Sequence, residues 1–247
     1  MIPIRNVLHD MLQLSKDNEE ISIEKIAEQN NLSNQQVIDI VTSLNENTDA
    51  KLRLDQDSIH IPRKNKSPII IKAIESGIDL DQIIDTLHWS DFENFCLTVF
   101  EYHEFRNVQN FHFTHNRNRY EIDVVSVREP LVFAIDAKKW KTGHAGALKL
   151  VVKKQSDRIK ALSEYLQKPL NRQKLQLKDV IDLRIIPLIV TSKMYEIQIF
   201  HGVPIIPFFK LNGFITEMHR FLGILKQFSV KNRVQKTLFS FKTSQSK

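Results

Sequence analysis

Two apolar segments that are interrupted by charged residues, YEIDVV at 120–125 and FAIDAK at 133–138, stand in the middle of the chain. Both contain β-branched and aromatic residues, Tyr120, Ile122, Val124 and Val125 in the first and Phe133 and Ile135 in the second, which favour strands. The simplest connection between them is a two-residue turn at Glu129-Pro130, which predicts a β-hairpin. In that register Asp123 lies directly opposite Asp136, and directly paired residues share a sheet face about 5 Å apart.

One face of this hairpin is predicted to be charged and the other apolar. Side chains alternate between the two faces along a strand. Glu121 and Lys138, which lie opposite each other in the same register, therefore join the two aspartates on the charged face. The residues expected on the apolar, packing face are Ile122, Val124, Phe133 and Ile135.

The paired aspartates indicate a metal site. Two carboxylates held this close repel each other, and one would stay protonated at neutral pH unless a cation compensated the charge. Carboxylate oxygens suit Mg²⁺ or Mn²⁺, which keep several waters and accept phosphate oxygens as further ligands. A lysine beside such a metal can orient the attacking water or help to deprotonate it, and can neutralise charge on a phosphorane. The pattern is therefore typical of phosphodiester hydrolysis.

Asp123 together with Asp136-Ala137-Lys138 resembles the PD-(D/E)xK signature of the restriction-endonuclease-like nuclease superfamily. The form Glu121-Ile122-Asp123 is similar to that of its Mrr-like, archaeal Holliday-junction-resolvase-like and RecB-like branches. The resemblance covers about residues 89–195. It implies that Asp123 and Asp136 are catalytic metal ligands for Mg²⁺ or Mn²⁺, that the carbonyl of Ala137 is a further ligand, and that Lys138 is the catalytic lysine.

The same branches place a glutamate on the helix before the sheet, and the segment WSDFE at 89–93 is similar to that context. The resemblance thus implies that Glu93 is an auxiliary catalytic residue and metal ligand. Ser90 and Glu93 also have the spacing of a helix capping box, so a structural reading of Glu93 stays open. The sequence departs from the family pattern in having Asp-x-Lys instead of the more frequent Glu-x-Lys, and in lacking a glycine before Glu121.

The order of predicted elements indicates an α/β fold with a mixed sheet flanked by helices, as in restriction endonucleases, over residues 89–230. A helix is expected up to Tyr102, capped by Ser90, and strands are expected at 107–114, 119–127 and 131–138. They are followed by a helix at 147–166, strands at 183–191 and 203–209, and a helix at 212–225.

The chain before this domain is predicted to form a small winged helix-turn-helix domain. Three short helices, the second capped by Ser22 and the third by Ser33, precede a hairpin over residues 1–63. Residues 64–88 are read as a helical linker and 231–247 as a basic tail. The first domain has 6 basic and 11 acidic residues, so protein contact is as reasonable an expectation for it as direct DNA reading.

Positive charge is concentrated in the second part of the chain and indicates a polyanionic partner such as DNA. The net charge is +6, but residues 89–247 hold 26 basic and only 14 acidic side chains. A solvated helix face is the alternative for the basic stretch that follows the predicted site. The DNA-binding candidates in it are Lys139, Lys141, Lys149, Lys153, Lys154, Gln155 and Arg158.

Composition limits the remaining classes. With 42% hydrophobic and 26% charged residues, the chain has an ordinary globular mix. The apolar runs are too short to span a membrane and the start does not resemble a secretory signal, so a cytoplasmic protein is expected. Cys96 is the single cysteine, which excludes a disulfide framework and a Cys-rich zinc module.

Two functions are consistent with these features. The first is a metal-dependent endodeoxyribonuclease of the restriction, repair or recombination type, with a homodimer expected from related nucleases. The second is a non-catalytic DNA-binding or regulatory protein on a nuclease-like scaffold. A structural alternative for the two aspartates is that they are strand-end residues in surface ion pairs with Lys138 or Lys139. DNA and RNA are not distinguished by the sequence.

Overall fold

The computed structural model describes residues 4–138, 145–177 and 182–231. The chain divides into two compact units, Met1–Thr98 and Val99–Lys247. The division lies within one helix, so that this helix contributes its first turns to the first unit and its last turn to the second. The domain borders expected at residues 63 and 88 remain predictions. None of the described helices is both long enough and apolar enough to cross a membrane.

The first unit combines short helices with a small antiparallel sheet. Its strands β1, β2 and β3 pair in the order β1-β3-β2. The elements are α1 (Ile4–Leu14), β1 (Glu20–Ser22), α2 (Ile23–Asn30), α3 (Asn34–Asn47), β2 (Arg53–Leu54), β3 (Ser58–His60), α4 (Lys66–Glu75), α5 (Leu80–Thr86) and α6 (Trp89–Tyr102).

Two predicted helix caps of this unit are confirmed. The Ser22 hydroxyl accepts a hydrogen bond from the Lys25 amide, and Ser33 forms a complete capping box with Gln36. The cap predicted at Ser90 is wrong because α6 begins one residue earlier, at Trp89. The carboxylate of Asp91 instead accepts the amide of His88, at 2.6 Å.

A buried ion pair joins two helices of the first unit. Lys66 of α4 and Asp91 of α6 are fully buried, and Lys66 Nζ lies 3.4 Å from Asp91 Oδ2 and donates to the Ser15 carbonyl at 2.6 Å. Burial lowers the pKa of the Lys66 ammonium, and the adjacent carboxylate of Asp91 acts against that shift. Asp91 Oδ1 has no hydrogen-bond partner in the described part of the chain.

The second unit contains a mixed seven-stranded sheet with helices packed on it. Its strand order is β4-β5-β6-β7-β9-β8, and β10 pairs with β7. The elements are β4 (Arg106–His115), β5 (Asn118–Arg128), β6 (Leu131–Lys138), α7 (Ala145–Tyr165), α8 (Pro169–Arg172), β7 (Asp182–Thr191), β8 (Ile199–Phe200), β9 (Val203–Pro207), α9 (Leu211–Glu217) and β10 (Phe228–Lys231).

The sheet changes from antiparallel to parallel at its centre. Strands β4, β5 and β6 pair antiparallel, whereas β6, β7 and β9 pair parallel. Strands buried on both faces read as continuous apolar runs, and β6 is buried along its whole length except at its last residue, Lys138. The α/β class with a mixed, helix-flanked sheet is thereby confirmed.

The long helix expected near the end of this unit is wrong in its second half. The structure has α9 only to Glu217, followed by a short 3₁₀ turn at Met218–Arg220. The chain then turns back, and the Lys226 amide donates to the Gly202 carbonyl at 2.7 Å. This return places β10 beside β7, where Val230 lies opposite Leu183.

We predict that the buried ion pair of the first unit is sensitive to the loss of one partner. Lys66→Met would leave the Asp91 charge buried and uncompensated, which costs on the order of 3–5 kcal/mol. Lys66→Met/Asp91→Asn should recover part of that loss, because the charge is then removed. Urea denaturation measures both.

Lys72→Met, which breaks an exposed pair with Glu75 on the same helix, is the control and should cost about 1 kcal/mol or less. Equal losses for Lys66→Met and Lys72→Met would contradict the prediction.

Candidate active site

The hairpin that carries the predicted site forms in the register expected from the sequence. Strands β5 and β6 are joined through Glu129-Pro130, and Val124 lies opposite Ile135. The ladder ends at that pair. Asp123 and Asp136, the next residues outward, are therefore not a ladder pair. Instead the Asp123 side chain accepts a hydrogen bond from the Ala137 amide, at 2.9 Å.

A distortion in the neighbouring strand accounts for the position of Asp123. Asn110 of β4 has a left-handed backbone, with φ of 48°, a conformation that asparagine tolerates better than most residues. The β4–β5 ladder is continuous on both sides of this point but omits the pairing of Asn110 with Asp123. Asp123 therefore stands at a local break in the sheet, where its carboxylate is free to turn toward β6.

The same distortion corrects one expectation from the sequence. Ile122 was expected on the face that carries Phe133. It instead belongs to the core cluster that includes Val125 and Ile159, on the side of the sheet covered by α7. Phe133 packs against Phe100, with ring centroids 5.4 Å apart. At Asp123 the side chains of β5 stop alternating strictly between the two faces of the sheet. The cause is Asn110, the left-handed residue opposite Asp123 in β4, which puts Ile122 on the same face as Val125.

Asp136 is the centre of a charged network. It is only 2% exposed, and its Oδ1 accepts from Lys138 Nζ at 2.9 Å and from Arg158 Nη1 at 3.0 Å. Arg158 Nη1 also donates to Gln155 Oε1 at 2.9 Å, and Gln155 Nε2 donates to the Ala134 carbonyl at 2.9 Å. The network thus connects two residues of β6, Asp136 and Ala134, through two residues of α7, Arg158 and Gln155.

The electrostatic surroundings of Asp123 include the second aspartate, Asp136. Burial raises the pKa of the Asp123 carboxyl above its ordinary value, and the nearby charge of Asp136 raises it further. The hydrogen bond from Ala137 and the charges of Lys138 and Arg158 act in the opposite direction. This site therefore has the repulsion between two acids that the sequence predicts, partly balanced by two cations.

Asp123 and Asp136 are the residues of this site that could hold a hexacoordinate cation that retains most of its waters. In the described residues, no group of three or more His, Cys, Asp or Glu side chains gathers to hold a metal ion. Mg²⁺ does not need such a cage, because it is commonly held by one or two carboxylates together with substrate phosphates and waters. Asp123 and Asp136 would be those carboxylates, and the raised pKa of Asp123 is the unfavourable electrostatics that a cation would relieve.

The remaining predicted site residues have different placements. Glu93 lies in the first unit, where its Oε1 accepts from the indole nitrogen of Trp89 at 2.5 Å. Its role as a metal ligand stays a prediction, as does that of the Ala137 carbonyl. Glu121 is exposed and lies opposite His112 in the β4–β5 ladder.

Six of the seven DNA-binding candidates, all except Arg158, separate into three groups. Lys149, Lys153 and Lys154 are exposed on α7, as a phosphate-contacting surface requires. Gln155 is 1% exposed, so its side chain supports the site from the protein interior and is not available for contact with DNA. Lys139 and Lys141 lie outside the described residues.

Sequence reasoning missed the role of Arg158. It was grouped with the exposed lysines of α7, yet it forms an ion pair with the buried Asp136. The signal was available, because Arg158 follows Gln155 by three residues and residues at this spacing share one side of a helix. A glutamine next to a predicted site and an arginine one turn later could have been assigned together.

Comparisons with known proteins give similarity without an assigned activity. No family model matches the chain. A curated but uncharacterized protein of Archaeoglobus fulgidus is 28% identical over 139 residues, which are 56% of this chain and 96% of that protein.

Two solved structures are also similar to parts of the chain. The crystal structure of AF1548, a protein of unknown function, is 20% identical over 50% of this chain and 54% of that one, with a TM-score of 0.26. The structure of protein VC1899 from Vibrio cholerae is 11% identical over 90% of this chain and 52% of that one, with a TM-score of 0.34. The chain thus spans about half the length of each of these two structures.

We predict that Asp123→Asn stabilises the metal-free protein. An acid with a raised pKa in the folded state lowers stability as pH rises from its ordinary pKa through the raised value, and the loss is complete above that value. Asparagine keeps an oxygen that can accept the Ala137 amide but removes the charge. In EDTA the variant should melt at a higher temperature than the parent protein at pH 8, and the difference should shrink toward pH 4.

The control for this prediction is Asp157→Asn, which removes an exposed carboxylate from α7. It should show no comparable gain at any pH. A parent protein that is more stable than Asp123→Asn across the whole pH range would contradict the electrostatic account of the site.

Proposed function

We propose that this chain is a Mg²⁺- or Mn²⁺-dependent endodeoxyribonuclease that hydrolyses phosphodiester bonds of DNA. The observation that carries the proposal is the convergence of Asp123, Asp136 and Lys138 at one end of the β5–β6 hairpin. Two neighbouring acids, with an amine 2.9 Å from one of them, are the groups that metal-assisted hydrolysis requires.

The architecture of both units supports the proposal. In the second unit, an antiparallel hairpin that continues into parallel strands is consistent with a restriction-endonuclease-like fold of the Mrr-like or archaeal resolvase-like branch. In the first unit, the order helix, strand, two helices and two strands is consistent with a winged helix-turn-helix domain. The acidic excess of that domain favours contact with a protein over direct contact with DNA. We also propose a homodimer, as expected from related nucleases.

The reaction consumes one water per bond. The water oxygen bonds to phosphorus and loses a proton to solvent. The bond from phosphorus to one sugar oxygen breaks, and that oxygen takes up a proton. A bound divalent cation would supply Lewis-acid stabilisation of the charge that develops on the phosphate oxygens. Asp123 and Asp136 would hold it, and each is positioned by the chain itself, through the Ala137 amide and through Lys138 and Arg158.

Lys138 has the position of a residue that acts on the attacking water. It is the last residue of β6, and its side chain is 25% exposed, whereas Asp136 is buried. Its ammonium is therefore held at the buried acid by a side chain that is partly exposed. From there it can donate a hydrogen bond to a water molecule and neutralise charge on the phosphate. The exposed lysines of α7 would hold the flanking phosphates and give binding a strong dependence on salt.

A second function is favoured by one observation. Asp136 Oδ1 already accepts from two cationic groups, so this acid is neutralised without a metal. A DNA-binding or regulatory protein on a nuclease-like scaffold could keep such a network for stability alone. The two functions differ in their response to metal ions, and that difference can be measured.

We predict that the protein cleaves DNA in the presence of Mg²⁺ or Mn²⁺ and that Asp136→Ala lowers cleavage by about 100-fold or more. The variant loses a carboxylate that positions the charge stabilising the transition state. Supercoiled plasmid and linear, single-stranded, flapped and four-way DNA, together with an RNA duplex, form the substrate panel.

Asp157→Asn, purified identically, controls for contaminating nucleases and for the loss of one acid from the second unit. It should cleave like the parent protein. If the parent protein and Asp136→Ala show the same negligible cleavage on every substrate, the proposed activity is wrong.

We also predict that Mg²⁺ or Mn²⁺ raises the melting temperature of the parent protein but not that of Asp123→Asn. A ligand that binds only the folded state stabilises it by about 2.7 kcal/mol at 100 times its dissociation constant. Thermal melts over a metal titration provide the measurement. A non-catalytic scaffold would instead melt at the same temperature with and without metal while binding DNA in a salt-sensitive way.

A further inference from the structure

Arg158 is anchored at the site by one of its terminal nitrogens. Nη1 donates both to the buried carboxylate of Asp136, at 3.0 Å, and to the side-chain carbonyl of Gln155, at 2.9 Å. A guanidinium has five N–H donors in a fixed planar arrangement. Two acceptors on Nη1 therefore fix the direction in which the rest of the group points.

The other edge of the guanidinium is available. Within residues 4–138, 145–177 and 182–231, neither Nη2 nor Nε of Arg158 makes a hydrogen bond, and the side chain is 27% exposed. Arginine stays charged at any physiological pH and matches the geometry of phosphate oxygens with paired donors. An anchored arginine with its outer donors facing solvent beside two acids is therefore equipped to receive a phosphate.

Gln155 determines this orientation. It is 1% exposed, and its Nε2 is bound to the Ala134 carbonyl of β6 at 2.9 Å. With its nitrogen fixed on the strand, its Oε1 faces Arg158. Strand β6 thus positions Arg158 in two ways. Asp136 binds it directly, and Ala134 acts indirectly by binding Gln155.

We infer that Arg158 is a catalytic residue that binds a non-bridging oxygen of the reacting phosphodiester through its outer donors, and that Gln155 is the residue that positions it. This inference rests on the proposed nuclease function and adds to it a phosphate contact that the two acids and Lys138 do not supply. In this arrangement Arg158 balances Asp136 before substrate arrives and remains in place when substrate binds.

Arg158→Lys separates this role from that of a structural counter-ion. Lysine keeps the charge beside Asp136 but cannot bind the acid and a phosphate oxygen with separate donors of one rigid group. We expect kcat/KM for DNA cleavage to fall by about 100-fold, as when one donor to the transition state is removed. The melting temperature should stay close to that of the parent protein.

Gln155→Ala should lower kcat/KM by about 10-fold, because Arg158 keeps its charge but loses its orientation. Because Gln155 acts through Arg158, the double variant Gln155→Ala/Arg158→Lys should be no worse than Arg158→Lys alone. A double variant in which the two losses multiply would overturn the positioning role.

A second readout does not require cleavage. Binding of a labelled DNA duplex in EDTA is measured as a function of salt for the parent protein, Arg158→Met and Arg220→Met. Arg158→Met should reduce the slope of log K against log salt by about 1, as expected for a lost phosphate contact. Arg220, an exposed arginine that pairs with Glu217 on the surface, is the matched control and should leave the slope unchanged.

The results distinguish this inference from the proposed function. If the parent protein cleaves DNA and Arg158→Lys cleaves equally well, the nuclease proposal stands and the phosphate contact is wrong. If the parent protein cleaves no nucleic acid, the nuclease proposal fails. The salt dependence then tests the contact alone, and an unchanged slope for Arg158→Met overturns it.

Discussion

The repulsion between two carboxylates at one end of a hairpin is the constraint on which the site depends. Asp136 is almost completely buried and Asp123 has a raised pKa because of burial and of that neighbour. Burial of an uncompensated carboxylate would be too costly for the fold. The cations Lys138 and Arg158 meet that requirement from two directions, one from the same strand and one from the helix above it. The ion pair between Arg158 and Asp136 thereby links α7 to β6.

Local irregularity and regular architecture have separate roles here. The parallel pairing of β6 with β7 brings Lys138 to the carboxyl end of the central strands, where ligands of open α/β sheets commonly bind. The break opposite Asn110 frees Asp123 from the ladder so that its carboxylate can take the Ala137 amide. An uninterrupted ladder would engage that amide through the backbone. The regular part of the sheet therefore positions the site, and the irregular part makes one of its acids available.

Much of the second unit could be predicted from the sequence because its elements have strong local patterns. The strands β4 to β7 and the helix α7 were expected within two residues of their observed bounds. The hairpin register followed from the turn at Glu129-Pro130 and is confirmed. The short strand β1 was missed because its three residues become a strand only through pairing with β3, which no local pattern encodes. The face change at Asp123 was missed for the same reason, since it depends on the backbone of a residue in another strand.

In the candidate site too, contacts between residues that are distant in the sequence could not be predicted. Asp123, Asp136 and Lys138 could be predicted together because adjacent strands convert sequence spacing into spatial proximity. Arg158 is 22 residues from Asp136, and its contact with that acid depends on how α7 crosses the sheet. Charge pattern alone predicts for Arg158 the same role as for Lys154, a contact with DNA phosphates on the exposed face of α7. The buried amide of Gln155 distinguishes the two residues, because a polar side chain excluded from water must have partners, and those partners orient the arginine. A basic helix beside an acidic site is therefore better interpreted from its buried polar residues than from its net charge.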